Sequence, residues 1–168
     1  MQVAERKVDF GFTFVPFPSS EVEHLRIGAG ALTSYARRGA FAGRDAEGVP
    51  YVVPAFALAD NPLTLKTRDG WNRQLARVTP LRASSLTMAL GVVHEGLAAI
   101  YIPQFLAAAL NARLREPEQL VQLEMSAARR VKETTRRELF LVKRRADDET
   151  LTMRRATREV RAVLRVHR

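Results

Sequence analysis

Two adjacent serines, Ser84 and Ser85, could cap a helix and could also bind a small anion at its start. They directly precede a run in which apolar residues recur at helical spacing, namely Leu86, Ala89, Leu90 and Val93. A hydroxyl group at this place accepts the unpaired amide hydrogens of the first helical turn. Those amides and the positive end of the helix dipole also bind carboxylates. The pattern leaves two interpretations open, a helix cap alone or a cap that also binds an anion.

The other reactive residue types form no catalytic or metal-binding pattern. The three histidines, His24, His94 and His167, are far apart, and His94 lacks the second histidine of a zinc-protease helix. The chain has no Cys, which excludes a thiol nucleophile, a disulfide framework and a Cys-ligated zinc site. No Gly-x-Ser-x-Gly turn is present either. We therefore expect no catalysis, no metal ion and no cofactor.

A pair of glycines in the segment Gly28-Ala29-Gly30 could suggest a phosphate-binding loop. Such a loop needs a third glycine, or a Lys followed by Ser or Thr at the helix start, and neither is present. Short β-forming segments, Leu25–Ile27 and Leu32–Tyr35, lie on either side. The spacing therefore predicts a hairpin turn at the glycines.

The net charge of +9, from 27 Lys and Arg against 18 Asp and Glu, is concentrated near the carboxyl terminus. Residues 113–168 contain 16 basic and 9 acidic residues, which leaves 11 and 9 for residues 1–112. The basic residues are interleaved with acidic ones, as on an ordinary solvated helix face. A surface that follows nucleic-acid phosphates is the sharper alternative.

The composition is that of a globular chain, with 46% hydrophobic residues, and the length suits one domain. No apolar run approaches the roughly 18 residues that a membrane-spanning helix needs. The first residues, Met1–Lys7, lack the apolar core of a signal peptide. We therefore expect a cytoplasmic protein that does not enter a membrane.

Local patterns predict strands separated by turns and helices. β-Forming residues bounded by Pro and Gly indicate strands at Val8–Val15, Val49–Pro54 and Val78–Arg82, followed later by Leu120–Met125 and Glu138–Lys143. Thr150 is expected to cap a last helix with one apolar stripe and an arginine-rich face. Trp71 is interpreted as a packing anchor.

The clearest stretch alternates helix, strand and helix. Gly96 is expected to end the first helix in the left-handed conformation. The apolar run Ala98–Ile102 is typical of a strand that is buried on both faces. Pro103 would then occupy the first position of a second helix, which extends through Leu110. This alternation with tight connections is typical of an α/β sheet.

The order of these segments resembles the effector-binding domain of LysR-type transcriptional regulators. The strongest match is Gly96–Leu106, with the sequence GLAAIYIPQFL. It is similar to the family's Gly-Leu-Gly-Ile-Ala-x-x-Pro-x-Phe-Leu signature, with Ala98 in place of the second glycine. The resemblance covers nearly the whole chain, and further matching segments are Val8–Thr13, Glu21–Arg37, Gly48–Pro54 and Glu138–Arg144.

The resemblance implies an α/β, type-2 periplasmic-binding-protein-like, two-lobed fold and a regulatory, non-catalytic function. Residues 1–168 would form a single effector-binding domain, with lobe I at about 1–36 and 126–168 and lobe II at about 37–125. A small effector, often anionic or aromatic, would bind between the lobes. The residues expected to contact it are Thr13, Phe14 and Pro16 in lobe I, and Pro54, Phe56, Ser84 and Ser85 in lobe II.

The chain departs from the family at its amino terminus. The winged helix-turn-helix and the first strand and helix of the effector domain have no counterpart, so we expect an amino-terminally truncated domain. DNA binding is therefore not carried over, and homo-oligomerisation is expected of the full-length form. Two alternatives stay open: a ligand-binding remnant without transcriptional control, and a nucleic-acid-associated protein that uses its basic carboxyl-terminal third.

Overall fold

A computed structural model describes residues 2–14, 16, 19–44, 48–54, 71 and 75–166 of the chain. Two compact units account for the chain, the first formed by Met1–Gly30 with Arg136–Arg168 and the second by Ala31–Thr135. The described residues form, in chain order, β1 (Phe10–Thr13), β2 (Val22–Arg37), β3 (Pro50–Pro54), β4 (Val78–Ala83), α1 (Leu86–His94), β5 (Ile100–Pro103), α2 (Gln104–Asn111), β6 (Leu120–Gln122), α3 (Ala127–Glu133), β7 (Thr135–Arg144) and α4 (Leu151–Val166).

The first unit is built on β7, which lies between β1 and the amino-terminal half of β2. Strands β1 and β7 are antiparallel, with Phe10 opposite Lys143 and Thr13 opposite Phe140. Helix α4 begins as predicted, because the Thr150 hydroxyl accepts the amide hydrogen of Met153 at 3.2 Å. Met153 and Leu164 are buried on the predicted apolar stripe of this helix.

Two basic residues at the end of β7 bind the chain around it, Lys143 to β2 and the turn after β7, and Arg144 to the turns before β1. Lys143, only 7% exposed, forms an ion pair with Glu23 and donates a hydrogen bond to the Asp147 carbonyl at 2.6 Å. The Arg144 guanidinium donates to the Val3 and Val8 carbonyls, both at 3.2 Å. These bonds satisfy carbonyl groups that no strand partner accounts for.

The predicted hairpin turn at Gly28-Ala29-Gly30 is wrong, since β2 continues without interruption from Val22 to Arg37. Among the described glycines, positive φ angles occur at Gly39, Gly43 and Gly96, none of them in this strand. Gly28 instead permits a close approach of α4, because a Cβ atom added there would lie 2.6 Å from Leu164 Cδ1. A glycine is therefore needed at position 28 because of a tertiary contact and not because the chain turns there.

The second unit contains the carboxyl-terminal half of β2, which pairs antiparallel with both β5 and β6. Tyr35 has a strand partner on each side, Ile100 in β5 and Gln122 in β6. Strands β3 and β4 form a separate parallel pair. The core of this unit consists of apolar residues from these strands together with Ala89, Val93 and Ala107 of the two helices.

One polar side chain joins the end of α2 to β6. The Asn111 amide donates to the Leu120 carbonyl and accepts from the Leu120 amide, each at 2.8 Å. Leu120 is only 2% exposed, so its backbone groups have little access to water. Asn111 therefore supplies both hydrogen bonds that the first residue of this short strand needs.

Several boundaries differ from the sequence-based predictions. The first strand is shorter than Val8–Val15, and the strand expected at Leu120–Met125 ends at Gln122. Pro103 is the residue before α2 and not its first residue, with an extended ψ of 139°. Helix α3 was not predicted, because its sequence AARRVKE carries no apolar stripe. Within the described ranges, every helix is too short or too polar to cross a lipid bilayer.

Replacing Gly28 with Ala should lower the free energy of unfolding by about 1–2 kcal/mol, because the added methyl group displaces the buried Leu164 side chain. In a Leu164→Ala background the same substitution should be neutral or stabilising, since the methyl group then enters vacated space. Urea unfolding of the four proteins in this double-mutant cycle measures the coupling between the two positions.

The matched control is Gly91→Ala in α1, where an added Cβ atom meets nothing within 4 Å. That change should raise the free energy of unfolding by about 0.5–1 kcal/mol, the helix propensity difference. Additive effects at Gly28 and Leu164 would contradict the close approach of β2 and α4.

Replacing Asn111 with Ala should lower the free energy of unfolding by about 2 kcal/mol, because two backbone groups of Leu120 lose their partners. The half-buried Gln119, whose side chain accepts a solvent-exposed hydrogen bond from Arg38 Nη2 at 3.2 Å, is a suitable control, and Gln119→Ala should cost less than about 0.5 kcal/mol. Equal effects of the two substitutions in urea unfolding would show that Asn111 has no special role.

Candidate functional site

The carboxyl ends of β3 and β4 lie side by side in the second unit. The two strands are parallel, with Val53 opposite Arg82 and Pro54 opposite Ala83. Ser84 and Ser85 follow Ala83 directly and lead into α1. Pro54 and the two serines, which were predicted to contact an effector, are therefore brought to the same edge, with Pro54 one strand spacing of about 5 Å from Ala83.

Strand β5 adds a third carboxyl end to this edge. A parallel bridge joins Tyr51 to Ala99, just before β5, with a bond of 2.9 Å from the Val52 amide to the Ala99 carbonyl. The Ala99 amide donates in turn to the Pro50 carbonyl at 2.8 Å. The order β4, β3, β5 therefore gives an edge about 10 Å wide, a span suited to a small organic ion. We call it the β3–β4–β5 edge.

Gln104 belongs to this edge and was missed by the sequence analysis. It is the first residue of α2 and follows Pro103, the last residue of β5. Like Ser84, Gln104 is a polar residue that lies between the end of a strand and the start of a helix, a place where ligands bind in α/β sheets. It was overlooked because Pro103 was interpreted only as a helix-starting residue.

Ser85 is the N-cap of α1. Its backbone is extended, with φ of −144° and ψ of 162°, and its Oγ accepts the Met88 amide hydrogen at 3.2 Å. The prediction of a cap at Ser84 or Ser85 is confirmed, with Ser85 as the residue. Because Oγ acts as the acceptor in this bond, its own hydrogen stays free to be donated to a ligand.

Ser84 has a different environment. Its side chain is exposed, and its hydroxyl donates to the Met88 sulfur at 3.0 Å. A thioether is a weak acceptor. An anionic oxygen is a far better one, so a ligand would readily replace the sulfur.

The two ends of α1 differ in whether their unpaired backbone groups find hydrogen-bond partners. At the carboxyl end, Arg37 Nη1 donates to the His94 carbonyl at 3.1 Å, and Gly96 turns the chain with the predicted left-handed φ of +72°. At the amino end, the first turn contains no acidic residue. Among the described residues, no acceptor is assigned to the amides of Leu86 and Thr87. The amino end can therefore bind a negative group from outside the protein.

Aromatic packing fixes β3 against the start of β5. Trp71 is 5% exposed and makes edge-to-face contacts with Tyr51 and Tyr101, at centroid distances of 5.2 and 5.1 Å. The Arg77 guanidinium lies 4.6 Å from the Trp71 ring centre. Trp71 is thus a packing anchor, as the sequence analysis predicted, with one ring face covered by a cation.

Hydroxyl groups complete this packing. The Tyr51 hydroxyl donates to the fully buried Ser34 Oγ at 2.8 Å, and Tyr101 shares a 2.6 Å bond with Thr135. These bonds keep both rings in fixed orientations, because a buried hydroxyl without a partner would be costly.

The other predicted contact residues are more scattered. Thr13 ends β1 in the first unit and Phe14 follows it, both half-buried, while Pro16 is exposed. Phe56 lies outside the described residues. The assignment of an effector to these positions stays a prediction. In the part of the chain that the structure describes, no three His, Asp or Glu side chains are grouped so as to hold a metal ion.

No protein-family model and no curated protein sequence matches the chain. Solved structures do match it. The bromide ion-bound regulatory domain of HypT from Salmonella typhimurium is 14% identical, with a TM-score of 0.59, and the match covers 97% of this chain and 77% of that one. The regulatory domain of CrgA, a LysR-type transcriptional regulator from Neisseria meningitidis, is 17% identical, with a TM-score of 0.62 and coverage of 98% and 79%.

A third match is the regulatory domain of CcmR from Synechocystis PCC6803 in complex with 2-PG. It is 13% identical, with a TM-score of 0.60, and the match covers 97% of this chain and 76% of that one. The chain therefore has the α/β, periplasmic-binding-protein-like fold of LysR-type regulatory domains, and the fold that the sequence resemblance implied is confirmed.

Replacing Ser85 with Ala should lower the free energy of unfolding by about 1 kcal/mol, because the first turn of α1 loses its cap. Ser84→Ala should change it by less than about 0.5 kcal/mol, since only a contact with sulfur is lost. Chemical unfolding of both variants tests the assignment, and a larger loss at Ser84 would reverse it.

Proposed function

We propose that this chain is the small-molecule effector-sensing domain of a LysR-type transcriptional regulator and performs no catalysis. One observation carries the proposal: parallel pairing of β3 with β4 brings Pro54, Ser84 and the amino end of α1 to one edge, within the fold of LysR regulatory domains. In open α/β sheets, ligands bind at the carboxyl ends of strands. The effector would bind at the β3–β4–β5 edge.

The chemistry of this edge favours an anionic effector. The amides of Leu86 and Thr87 and the hydroxyls of Ser84 and Ser85 are all hydrogen-bond donors toward such a group. The first turn of α1 supplies no carboxylate to compete with it. Of the matched regulatory domains, that of HypT was solved with a bromide ion and that of CcmR with 2-PG.

The remaining predicted contacts belong to the same proposal. The organic part of the effector would be contacted by Thr13, Phe14 and Pro16 in the first unit and by Phe56, which follows β3 in the sequence. These residues would decide which anion binds, because the edge itself recognises charge more than shape.

Regulation would follow from unequal affinity of the effector for two conformations of the regulator. A ligand shifts a conformational equilibrium only by the difference between its two binding free energies. We infer that the working form is a cytoplasmic homo-oligomer. DNA would be contacted through a winged helix-turn-helix that is not part of these 168 residues.

The variant Ser85→Asp separates ligand binding from helix capping. Aspartate caps a helix as well as serine does, so the fold should keep its stability. Its carboxylate would occupy the anion position and repel a bound anion. We expect bromide, acetate, benzoate or 2-PG, tested singly at constant ionic strength, to raise the thermal midpoint of the unchanged chain. An anion at about 100 times its Kd raises the free energy of unfolding by about 2.7 kcal/mol. Ser85→Asp should abolish both this stabilisation and the rise in thermal midpoint.

The matched control is Ser126→Asp at the start of α3, where Ser126 Oγ accepts the Arg129 amide hydrogen at 3.3 Å. This change introduces the same charge at another helix cap of the same unit, and the anion-induced shift should persist. If both variants lose the shift equally, or if no tested anion stabilises the unchanged chain, the proposed site is wrong.

A further inference from the structure

Four arginines form a single stripe along α4. Arg154, Arg158, Arg161 and Arg165 are separated by four, three and four residues. At 3.6 residues per turn, these positions fall within about 60° of one another around the helix axis. They extend over about 16 Å along it, at a rise of about 1.5 Å per residue. We call this set the α4 arginine stripe.

The stripe borders two neighbouring concavities, each of about 230 Å³. Arg161 and Arg165 line both of them, so the two form one continuous surface. The first is completed by Ile27, Gly28, Ala29 and Leu164, and the second by Arg154, Arg158 and Ala162. No acidic residue is among these described lining residues, so negative charge from outside the protein meets only guanidinium groups and small or apolar side chains.

Acidic residues of the protein neutralise the stripe poorly. Arg154 is 67% exposed and lies 4.0 Å from Glu149, at the limit of an ion pair. Arg158 is 75% exposed and lies 3.5 Å from Glu159, which is 72% exposed. Ion pairs between such exposed groups are weak. Arg161 donates to the Ile27 carbonyl at 3.3 Å, and Arg165 has no ion-pair partner among the described residues.

The stripe also opposes the stability of its own helix. Arg154 and Arg158, and likewise Arg161 and Arg165, are like charges four residues apart, an arrangement that destabilises a helix. The first turn of α4 contains no acidic residue, and Glu149 before the helix lies 4.0 Å from Arg154. Arg165 in the last turn suits the helix dipole, and Arg161 bonds the Ile27 carbonyl. The two like-charged pairs are not explained by helix stability.

We propose that the α4 arginine stripe is a sequence-independent docking surface for the phosphodiester backbone of duplex nucleic acid. Phosphates of one DNA strand recur about every 3.4 Å along the duplex axis while winding around it, so a straight stripe of about 16 Å can contact several of them. Arginine forks bind phosphate oxygens in pairs. The two concavities offer no aromatic or exposed apolar anchor of the kind that the centre of a protein interface needs.

This surface lies in the first unit and uses none of the residues of the β3–β4–β5 edge. It would act whether or not an effector binds there. In a complete regulator, the stripe would add non-specific phosphate contacts to the specific contacts of the DNA-binding domain. In these 168 residues alone, the stripe would be the principal DNA contact.

The test is fluorescence anisotropy of the 168-residue chain with a labelled mixed-sequence DNA duplex, titrated at several salt concentrations. Four phosphate contacts predict a slope of log K against log salt of about −3.6, or about a 150-fold loss of affinity between 50 and 200 mM salt. The variant Arg154→Gln/Arg158→Gln should reduce this slope to about −1.8, with a loss of about 12-fold over the same range. A second duplex of unrelated sequence should bind within about twofold of the first, since phosphates carry no sequence information.

The matched control is Arg113→Gln/Arg130→Gln, which removes two exposed arginines of the second unit and lowers the net charge equally. It should leave the slope nearly unchanged. Thermal unfolding should show that the stripe variant is folded and has a midpoint no lower than that of the unchanged chain. Equal losses in the two variants, or a slope near zero for the unchanged chain, would overturn the proposal. The proposal would also be overturned if polyglutamate displaced the labelled duplex as well as unlabelled DNA does, because the surface would then recognise acidic polypeptide.

Discussion

The sixteen-residue strand β2 is the element on which the rest of the described structure depends. Its amino-terminal half lies beside β7 and accepts the close approach of α4 at Gly28. Its carboxyl-terminal half holds β5 and β6, and its Ser34 accepts the hydroxyl hydrogen of Tyr51. Arg37, the last residue of β2, satisfies the carboxyl end of α1. A residue inserted into β2 would therefore move strand partners, helix contacts and the helix that carries Ser85 at its amino end.

Features set by local interactions could be predicted from the sequence. The cap at Ser85, the left-handed Gly96 and the cap of α4 at Thr150 each depend on residues within one helical turn. The continuity of β2 could not be predicted in this way. Two glycines in three residues are typical of a turn, and only the Leu164 side chain, over a hundred residues away, explains why Gly28 lies in a strand. Helix α3 could not be predicted either, because its sequence has almost no apolar face from which a helix could be recognised.

The candidate site was predictable in part. Serines at the start of a helix can be recognised in any sequence, but their neighbours at the β3–β4–β5 edge depend on strand order, which is a tertiary property. The parallel pairing of Pro54 with Ala83 and the bridge from Tyr51 to Ala99 bring together residues about 30 and 50 positions apart. Gln104 could have been recognised by the strand-end rule once β5 was known to lie beside β3. The buried contacts of Tyr51, Trp71 and Tyr101 matter here because a rigid edge loses little entropy when a ligand binds.

The like charges along α4 make the stability of this helix depend on the salt concentration. At physiological ionic strength the Debye length is about 8 Å, more than the 5–6 Å between side chains four positions apart on a helix, so their repulsion is only partly screened and further salt reduces it. Added ions therefore screen the repulsion among Arg154, Arg158, Arg161 and Arg165 and should make the folded state more stable. The same ions weaken the attraction of these residues for an anionic chain. The helix is consequently most strained under the conditions in which it attracts such a chain most strongly, and a bound polyanion would relieve that strain as the screening ions do.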